Sequence, residues 1–289
     1  MMKPHALLKL TSVALLALTS QIALSADMAK DAIWTAVNSN PHRSESEIAR
    51  DQYRHPEQVL RFFNIKATDR VAEVAPGAGW YTHILAPLLK DQGNYVGLQH
   101  HPAYYGKWPD WAAKLAAYPE QVAQQPELYG NRASASWLPM PEGLPVEENS
   151  VDVLLIVRTL HNWQNQGRME PGLQQSWQIL KPGGTLAVVQ HRLNESSTLD
   201  AETAAKNGRF KQSQVIAMIE AHGFKLVDSS EVNANPKDEQ NYPKGVWTLP
   251  PTLALKEQDQ DKYLAIGESD RMTLKFIKVA NQQLTQVTH

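Results

Sequence analysis

The sequence contains no cysteine among its 289 residues. A thiolate metal site, a disulfide and a cysteine nucleophile are therefore excluded. A lipid-attachment cysteine is also lacking, and a chain without thiols avoids mispairing in an oxidising compartment. The absence of cysteine therefore favours a soluble periplasmic protein.

An excess of charge of either sign is also lacking. Lys and Arg number 28 against 30 for Asp and Glu, which gives a formal net charge of -2. Such a chain has no overall basic field to attract nucleic acid. The composition therefore indicates no nucleic-acid partner, and it leaves the oligomeric state open.

A long apolar run occurs at the amino terminus. Residues 10–24 are mostly apolar, follow a weakly basic start and end in small residues around Ser25, which is typical of a secretory signal peptide. The run is shorter than the ~20 apolar residues that span a bilayer comfortably, although an uncleaved anchor is the alternative. We therefore predict a cleaved signal peptide over residues 1–26 and a periplasmic or secreted protein without membrane association after cleavage. Residues 27–289 are expected to form a single domain with an N-terminal helical extension, in which residues 44–64 are helical.

Beyond this extension, apolar runs of strand length alternate with segments of helical periodicity. The alternation predicts a mostly parallel α/β sheet with helices on both faces. Ligands of such sheets bind beyond the carboxyl ends of the strands, where the strand order reverses. The predicted strands are residues 70–75, 94–99, 131–135, 151–157, 185–190, 224–231 and 271–279.

The sharpest local motif joins the first of these strands to a helix. Residues 73–79 are Glu-Val-Ala-Pro-Gly-Ala-Gly, and Thr82 follows at the start of the helix. Without Cβ atoms, Gly77 and Gly79 allow a ligand to approach the backbone closely. The unpaired N–H groups of the new helix favour an anionic group such as a carboxylate or phosphate. A tight turn without a ligand is the alternative.

The order of the motifs resembles the class I S-adenosylmethionine-dependent methyltransferases over roughly residues 59–279. The acidic residue with its glycine turn is followed by Leu-Pro-x-Pro at 138–141 and by Leu-Lys-Pro-Gly-Gly at 180–184. Further short motifs are similar to a family of exported predicted methyltransferases. These motifs are Trp80-Tyr81-Thr82, His161-Asn162-Trp163, His191-Arg192, Asn235-Pro236-Lys237-Asp238 and Ser269-Asp270-Arg271.

The resemblance implies a Rossmann-like, doubly wound sheet of about seven strands, with the last strand antiparallel, and S-adenosylmethionine as cofactor. Glu73 and the loop 75–79 would face its methionine part, Gln99 its ribose, and Ser134 with Ala135 its adenine. Three positions depart from the family pattern. Ala75 replaces a glycine and fits the turn without strain if its φ is negative, while Gln99 and Ser134 each replace an acid. The implied cofactor-binding residues are Glu73, Ala75, Gly77, Gly79, Trp80, Tyr81, Thr82, Gln99, Ser134, Ala135 and Trp137.

The candidate reactive residues follow the strand at 151–157. His161 is a candidate general base or orienting group, since an ordinary imidazole pKa near 6.5 suits proton transfer at neutral pH. Arg158 is a candidate anchor for a substrate carboxylate or phosphate. A purely structural hydrogen-bond pair formed by His161 and Asn162 is the alternative. The histidines are not spaced as metal ligands, so no metal site is predicted.

Two functions of different kind remain compatible with these residues. The first is an S-adenosylmethionine-dependent methyltransferase that acts on an unidentified small molecule. The second is a periplasmic binding or scaffold protein that keeps the fold and has lost the cofactor, which the replacements at positions 99 and 134 and the predicted export motivate. A nicotinamide oxidoreductase is a third alternative and ranks below these two.

Overall fold

The computed structural model describes residues 31–279 of the chain. The predicted signal peptide therefore lies outside the described residues. Between residues 31 and 279, no helix combines the length and the hydrophobicity needed to span a bilayer.

The described residues form a single mixed sheet. Its strands are β1 Arg70–Val74, β2 Asn94–Gln99, β3 Ser134–Trp137, β4 Val151–Val157, β5 Leu180–Leu193, β6 Phe210–Lys211, β7 Phe224–Ser230 and β8 Arg271–Lys278. The strand order is β3-β2-β1-β4-β5-β8-β7, and the short β6 pairs with β5 outside this path. Strand β8 runs antiparallel to β5 and β7, whereas the other pairs are parallel. The predicted sheet of about seven strands with an antiparallel last strand is confirmed.

Helices pack on both faces of this sheet. They are α1 Ala32–Asn38, α2 Glu45–Ile48, α3 Asp51–Arg54, α4 Pro56–Phe62, α5 Thr82–Leu89, α6 Pro109–Ala116, α7 Tyr118–Ala123, α8 Pro126–Tyr129, α9 Leu160–Asn165, α10 Met169–Ile179, α11 Ala201–Lys206, α12 Gln212–Glu220 and α13 Gln260–Ile266. Successive strand residues point to opposite faces, so a central strand such as β1 contributes to two hydrophobic clusters. Val71 packs with α1, α4 and α5 on one face, while Ala72 packs with α9, α10 and α12 on the other.

Two predicted elements differ from the structure. Residues 44–64 are helical as predicted, but in three short pieces. Ala49 and Arg50 separate α2 from α3, and His55, with a left-handed φ of 44° ahead of Pro56, separates α3 from α4. The third strand was predicted at 131–135 and lies at Ser134–Trp137 instead. Its few apolar residues give no clear boundary, and pairing with β2 determines its position.

The strand order reverses between β1 and β4, which places a crevice at their carboxyl ends. Each of these strands is followed by a non-glycine residue in the left-handed region, Ala75 with φ 49° and Arg158 with φ 53°. Because the φ of Ala75 is positive, the condition for an unstrained alanine in this turn is not met. Their backbone N–H groups donate to the carbonyls of Leu98 and Val189, each at 2.7 Å, which fixes both turns. A left-handed conformation at a non-glycine residue costs about 1–3 kcal/mol, and residues in this conformation are concentrated at functional sites.

Candidate functional site

The glycine turn after β1 is open on its ligand-facing side. Gly77 has a φ of 63° and Gly79 a φ of 85°, a conformation that favours glycine at both positions. A Cβ atom placed on Gly77 would meet only the carbonyl oxygen of Ala75, at 3.9 Å. The space beside Gly77 is therefore a hollow that neighbouring side chains do not fill.

The first turn of α5 presents free backbone donors at this hollow. The first hydrogen bond into the helix runs from His83 N–H to Gly79 O at 2.8 Å. Within residues 31–279, the N–H groups of Ala78, Trp80 and Tyr81 have no hydrogen-bond partner. These donors and the helix dipole give the turn a partial positive charge.

A cavity of about 310 Å³ lies beside the turn. Its volume is at the lower end of the range for small-molecule sites. Four predicted cofactor-binding residues line it, namely Gly77, Gly79, Thr82 and Gln99. Helices α6 and α7 close the opposite side with Trp111, Lys114, Leu115 and Tyr118.

Gln99 lies at the end of β2 and is 8% exposed. Its carbonyl oxygen Oε1 accepts the backbone N–H of His100 at 3.0 Å. Its amide nitrogen has no partner among the described residues, so it can donate to a ligand hydroxyl. The prediction that Gln99 faces a ribose stays a prediction, with its side chain placed on the cavity wall.

Glu73 lies beneath the turn rather than on the cavity wall. Its carboxylate accepts hydrogen bonds from the hydroxyls of Thr82 and Tyr95, both at 2.7 Å. Burial raises the pKa of Glu73 to about 7, against the effect of these hydrogen bonds. The Tyr95 hydroxyl lies 3.4 Å from that of Tyr118, which lines the cavity. Glu73 is therefore linked to the cavity through Tyr118, a contact that no sequence motif indicates.

Trp80 and Tyr81 belong to the hydrophobic core and do not line the cavity. The Trp80 ring lies under the guanidinium groups of Arg54 and Arg43, at 4.6 Å and 5.3 Å, and its indole N–H donates to Glu47 O at 3.0 Å. The N-terminal extension therefore holds Trp80 away from the turn and leaves the hollow open.

The three residues predicted near the adenine lie in β3. Ser134 and Ala135 pair with Val96 and Gly97 in the middle of β2, not at the carboxyl edge of the sheet. They do not line the cavity, and their predicted adenine contact stays a prediction. Trp137 is level with Gln99, and its indole N–H donates to Leu115 O at 2.9 Å. Trp137 thus supports a cavity residue instead of lining the cavity.

His161 begins α9 beyond β4 and is 4% exposed. Its Nδ1 atom lies 3.4 Å from the side-chain amide of Gln190, and its ring lies 5.7 Å from both His191 and Trp247. Burial and then the charge of Arg158 lower the pKa of His161 to about 4. The imidazole is therefore neutral at neutral pH, which suits an orienting hydrogen bond better than strong general-base catalysis.

Arg158 lies beside β1 at the reversal of strand order and is partly exposed. Its side chain donates no hydrogen bond to any residue between 31 and 279, and its Nε atom is buried without a partner. Arg192, in contrast, pairs with Glu231 at 2.6 Å and Asp270 at 2.9 Å. The sequence predicts a ligand role for Arg158. It does not indicate which other arginines lie nearby, because their positions in the sequence are far apart.

No group of three or more His, Asp or Glu side chains is arranged to hold a metal ion in the part of the chain that the structure describes.

Comparisons with solved structures show similarity of fold. A SAM-dependent methyltransferase from Aquifex aeolicus matches with a TM-score of 0.50 and 17% identity, covering 80% of this chain and 93% of its own. Geranyl diphosphate methyltransferase in complex with SAM matches with a TM-score of 0.52 and 10% identity, covering 85% and 94%. The cyclase SpnF matches with a TM-score of 0.51 and 17% identity, covering 79% and 81%.

No protein-family model and no curated protein matches the sequence. Because one of the similar structures is that of a cyclase, the fold does not by itself determine the reaction. The chain has the Rossmann-like methyltransferase fold.

Proposed function

We propose that this chain is an S-adenosylmethionine-dependent methyltransferase that acts on a small molecule. The observation that carries the proposal is the open hollow beside Gly77, continuous with a cavity of about 310 Å³ at the carboxyl edge of the sheet. A scaffold that had lost its cofactor would have no need to keep this space free. The hollow therefore favours a protein that binds a ligand over a scaffold without one, and the fit of its lining to the cofactor favours the enzyme over a binding protein for another ligand.

The residues around the cavity fit the proposed cofactor. The free N–H groups after Gly79 suit the carboxylate of its methionine part. The unpaired amide nitrogen of Gln99 suits a ribose hydroxyl. Trp111 and Leu115 provide apolar surface on the opposite wall. When bound, S-adenosylmethionine supplies an electrophilic methyl group on a sulfonium sulfur.

The chain's own contribution is to position the reactants. Arg158 holds the substrate near the end of β4. Because Nδ1 of neutral His161 accepts from the Gln190 amide, the ring proton is on Nε2, and this N–H orients the substrate by donating a hydrogen bond. The structure keeps His161 in place through Gln190, whose amide also donates to Gly208 O at 2.9 Å. Orientation of this kind contributes about 7–11 kcal/mol to the most favourable two-reactant reactions.

Isothermal titration of residues 27–289 with S-adenosylmethionine and S-adenosylhomocysteine tests the proposal. We expect saturable, one-to-one binding of both molecules. If neither heat nor a change in melting temperature is detected at millimolar ligand, the methyltransferase proposal is rejected and the binding or scaffold protein takes its place.

Replacing Gln99 with glutamate is expected to strengthen S-adenosylmethionine binding about fivefold, because a charged acceptor adds roughly 1 kcal/mol to a hydrogen bond with a hydroxyl. The backbone N–H of His100 already donates to this side chain and would stabilise the carboxylate. Gln121→Glu, on the same cavity but on α7, is the control. Unchanged or weaker binding by Gln99→Glu would show that position 99 does not contact the ribose.

We also propose that the enzyme works in the periplasm or outside the cell. The proposal rests on the sequence of residues 1–26. Amino-terminal sequencing of the protein recovered from the periplasmic fraction should begin at residue 26 or 27. Recovery of the uncut chain from the cytoplasm would contradict it.

A further inference from the structure

Three arginines surround one buried carboxylate beside the candidate site. The Nε atoms of Arg50 and Arg54 donate to Glu268 at 2.8 Å and 3.0 Å, and Nη1 of Arg271 donates to it at 3.0 Å. Arg54, Arg271 and Glu268 are each 4% exposed or less. Although burial alone would raise it, the charges of Arg271, Arg54 and Arg50 hold the pKa of Glu268 at about 2. Glu268 therefore stays ionised and neutralises one of the three arginines.

Arg158 adds a fourth guanidinium to this group. Its backbone N–H donates to Val189 O in β5, and His191, two residues further along β5, pairs with Arg271 in β8. Burial, followed by the charge of Arg271, lowers the pKa of Arg158 to about 10. All four arginines therefore remain charged at neutral pH. We call Arg50, Arg54, Arg158 and Arg271 the arginine cluster.

Among the described residues, no carboxylate other than Glu268 forms an ion pair with these four arginines. Arg43, the next arginine, uses its own acid, Asp51, at 2.6 Å. His161 and His191 are neutral, because burial lowers the pKa of both. The cluster and Glu268 together carry a formal charge of +3, and unpaired buried charges cost several kcal/mol each.

The cluster also retains unused hydrogen-bond donors. Buried nitrogens without a partner among residues 31–279 occur in all four arginines, namely Nη2 of Arg50, Nη2 of Arg54, Nε of Arg158 and Nε of Arg271. A buried donor left unpaired destabilises the folded chain, and a charged donor does so more than a neutral one. The left-handed backbone of Arg158, with a φ of 53°, adds conformational strain at the same place. An anionic ligand would neutralise part of this positive charge and would accept hydrogen bonds from the unpaired nitrogens.

The strand order separates the arginine cluster from the glycine turn. The turn follows β1, and Gln99 ends β2, on one side of the strand-order reversal. Arg158 follows β4 and Arg271 begins β8, on the other side. The cavity and the cluster thus occupy adjacent halves of the same carboxyl edge, and Tyr81 contributes to both the turn and the surroundings of the cluster.

From this arrangement we propose that the arginine cluster binds an anionic group, a carboxylate or a phosphate, of the molecule that accepts the methyl group. The proposal rests on the methyltransferase function and names its substrate class as anionic small molecules. Arg158 and Arg50 form the accessible side, since Arg158 is partly exposed and the Arg50 side chain is 24% exposed. Arg54 and Arg271 are buried behind this accessible side and contribute their positive charge.

Titration of residues 27–289 with inorganic phosphate and with succinate, each against sodium chloride of equal ionic strength, tests the proposal. We expect at least one of the two anions to raise the melting temperature more than chloride does. Tighter binding of phosphate would identify a phosphate substrate, and tighter binding of succinate a carboxylate substrate. Arg158→Gln and Arg50→Gln should each weaken this binding at least about tenfold.

Arg132→Gln is the matched control, because Arg132 is exposed and donates only to Asp91 O, far from the cluster. It should bind the anions as the unchanged chain does. Equal responses to both anions and chloride, or equal responses in Arg158→Gln and Arg132→Gln, would overturn the proposal. S-adenosylmethionine binding is measured separately and should change less than about threefold in Arg158→Gln. Loss of that binding in the unchanged chain, with anion binding intact, would reject the proposed function and with it the assignment to a methyl acceptor.

Discussion

Replacing Gly77 with aspartate is expected to weaken S-adenosylmethionine binding roughly 100-fold while the chain remains folded. Gly77 faces the hollow with a φ of 63°, and a Cβ atom there meets no side chain. Aspartate enters the left-handed region more readily than most residues, so its side chain should enter the hollow without distorting the turn. Its carboxylate would fill the space and repel the carboxylate of the cofactor.

Gly183→Asp provides a matched control for the backbone cost. Gly183 has a φ of 74°, and a Cβ atom placed on it would have no neighbour within 4 Å, but it lies near the start of β5, in the stretch between the paired residues Leu180 and Thr185, at the opposite edge of the sheet. Both variants should lose on the order of 1 kcal/mol of unfolding free energy. Titration calorimetry should detect the loss of binding in Gly77→Asp alone. Equal cofactor affinity of the two variants would show that the hollow is not the binding site.

Replacing Glu73 with glutamine is expected to remove a pH dependence of stability of about 3 kcal/mol. Burial raises the pKa of Glu73 from 4.5 to about 7. Between these two pH values the folded chain keeps a proton that the unfolded chain has released. The unfolding free energy therefore falls as the pH rises through this window, and above pH 7 the full loss is present.

Urea unfolding of the unchanged chain and of Glu73→Gln at pH 4.5, 6 and 8 measures this effect. The difference between the two chains should increase with pH in favour of the variant, because glutamine avoids the buried charge. The hydroxyls of Thr82 and Tyr95 can rotate to accept from its amide. Glu127→Gln, at an exposed site on α8, should follow the unchanged chain at every pH. A constant difference between Glu73→Gln and the unchanged chain would mean that Glu73 is ionised across the range.

The sequence was sufficient to predict the strands that form the edge of the crevice. Residues 94–99 and 151–157 were predicted with the bounds that the structure gives, because each is an apolar run between turn residues. The glycine turn was likewise predicted, since Gly77 and Gly79 follow a buried strand within a few residues. Local patterns thus placed four of the predicted cofactor-binding residues on one cavity.

Contacts between distant segments could not be predicted in this way. Arg54 and Glu268 are 214 residues apart, and neither belongs to a motif, so their pairing follows only from the packing of the extension against β8. The Tyr118 ring packs against Gly97, which has no side chain, and its hydroxyl therefore reaches the Tyr95 hydroxyl beside Glu73. This contact depends on how α7 packs on β2. The low pKa of His161 depends on burial and on Arg158, whereas the sequence suggested the ordinary value.

Crystallisation of residues 27–289 with S-adenosylhomocysteine would test the central claim most directly. The cofactor product should occupy the hollow beside Gly77, with its carboxylate at the first turn of α5 and its ribose next to Gln99. Electron density for the ligand at another place, or a hollow closed by rearranged side chains of Trp80 and Tyr81, would contradict the account.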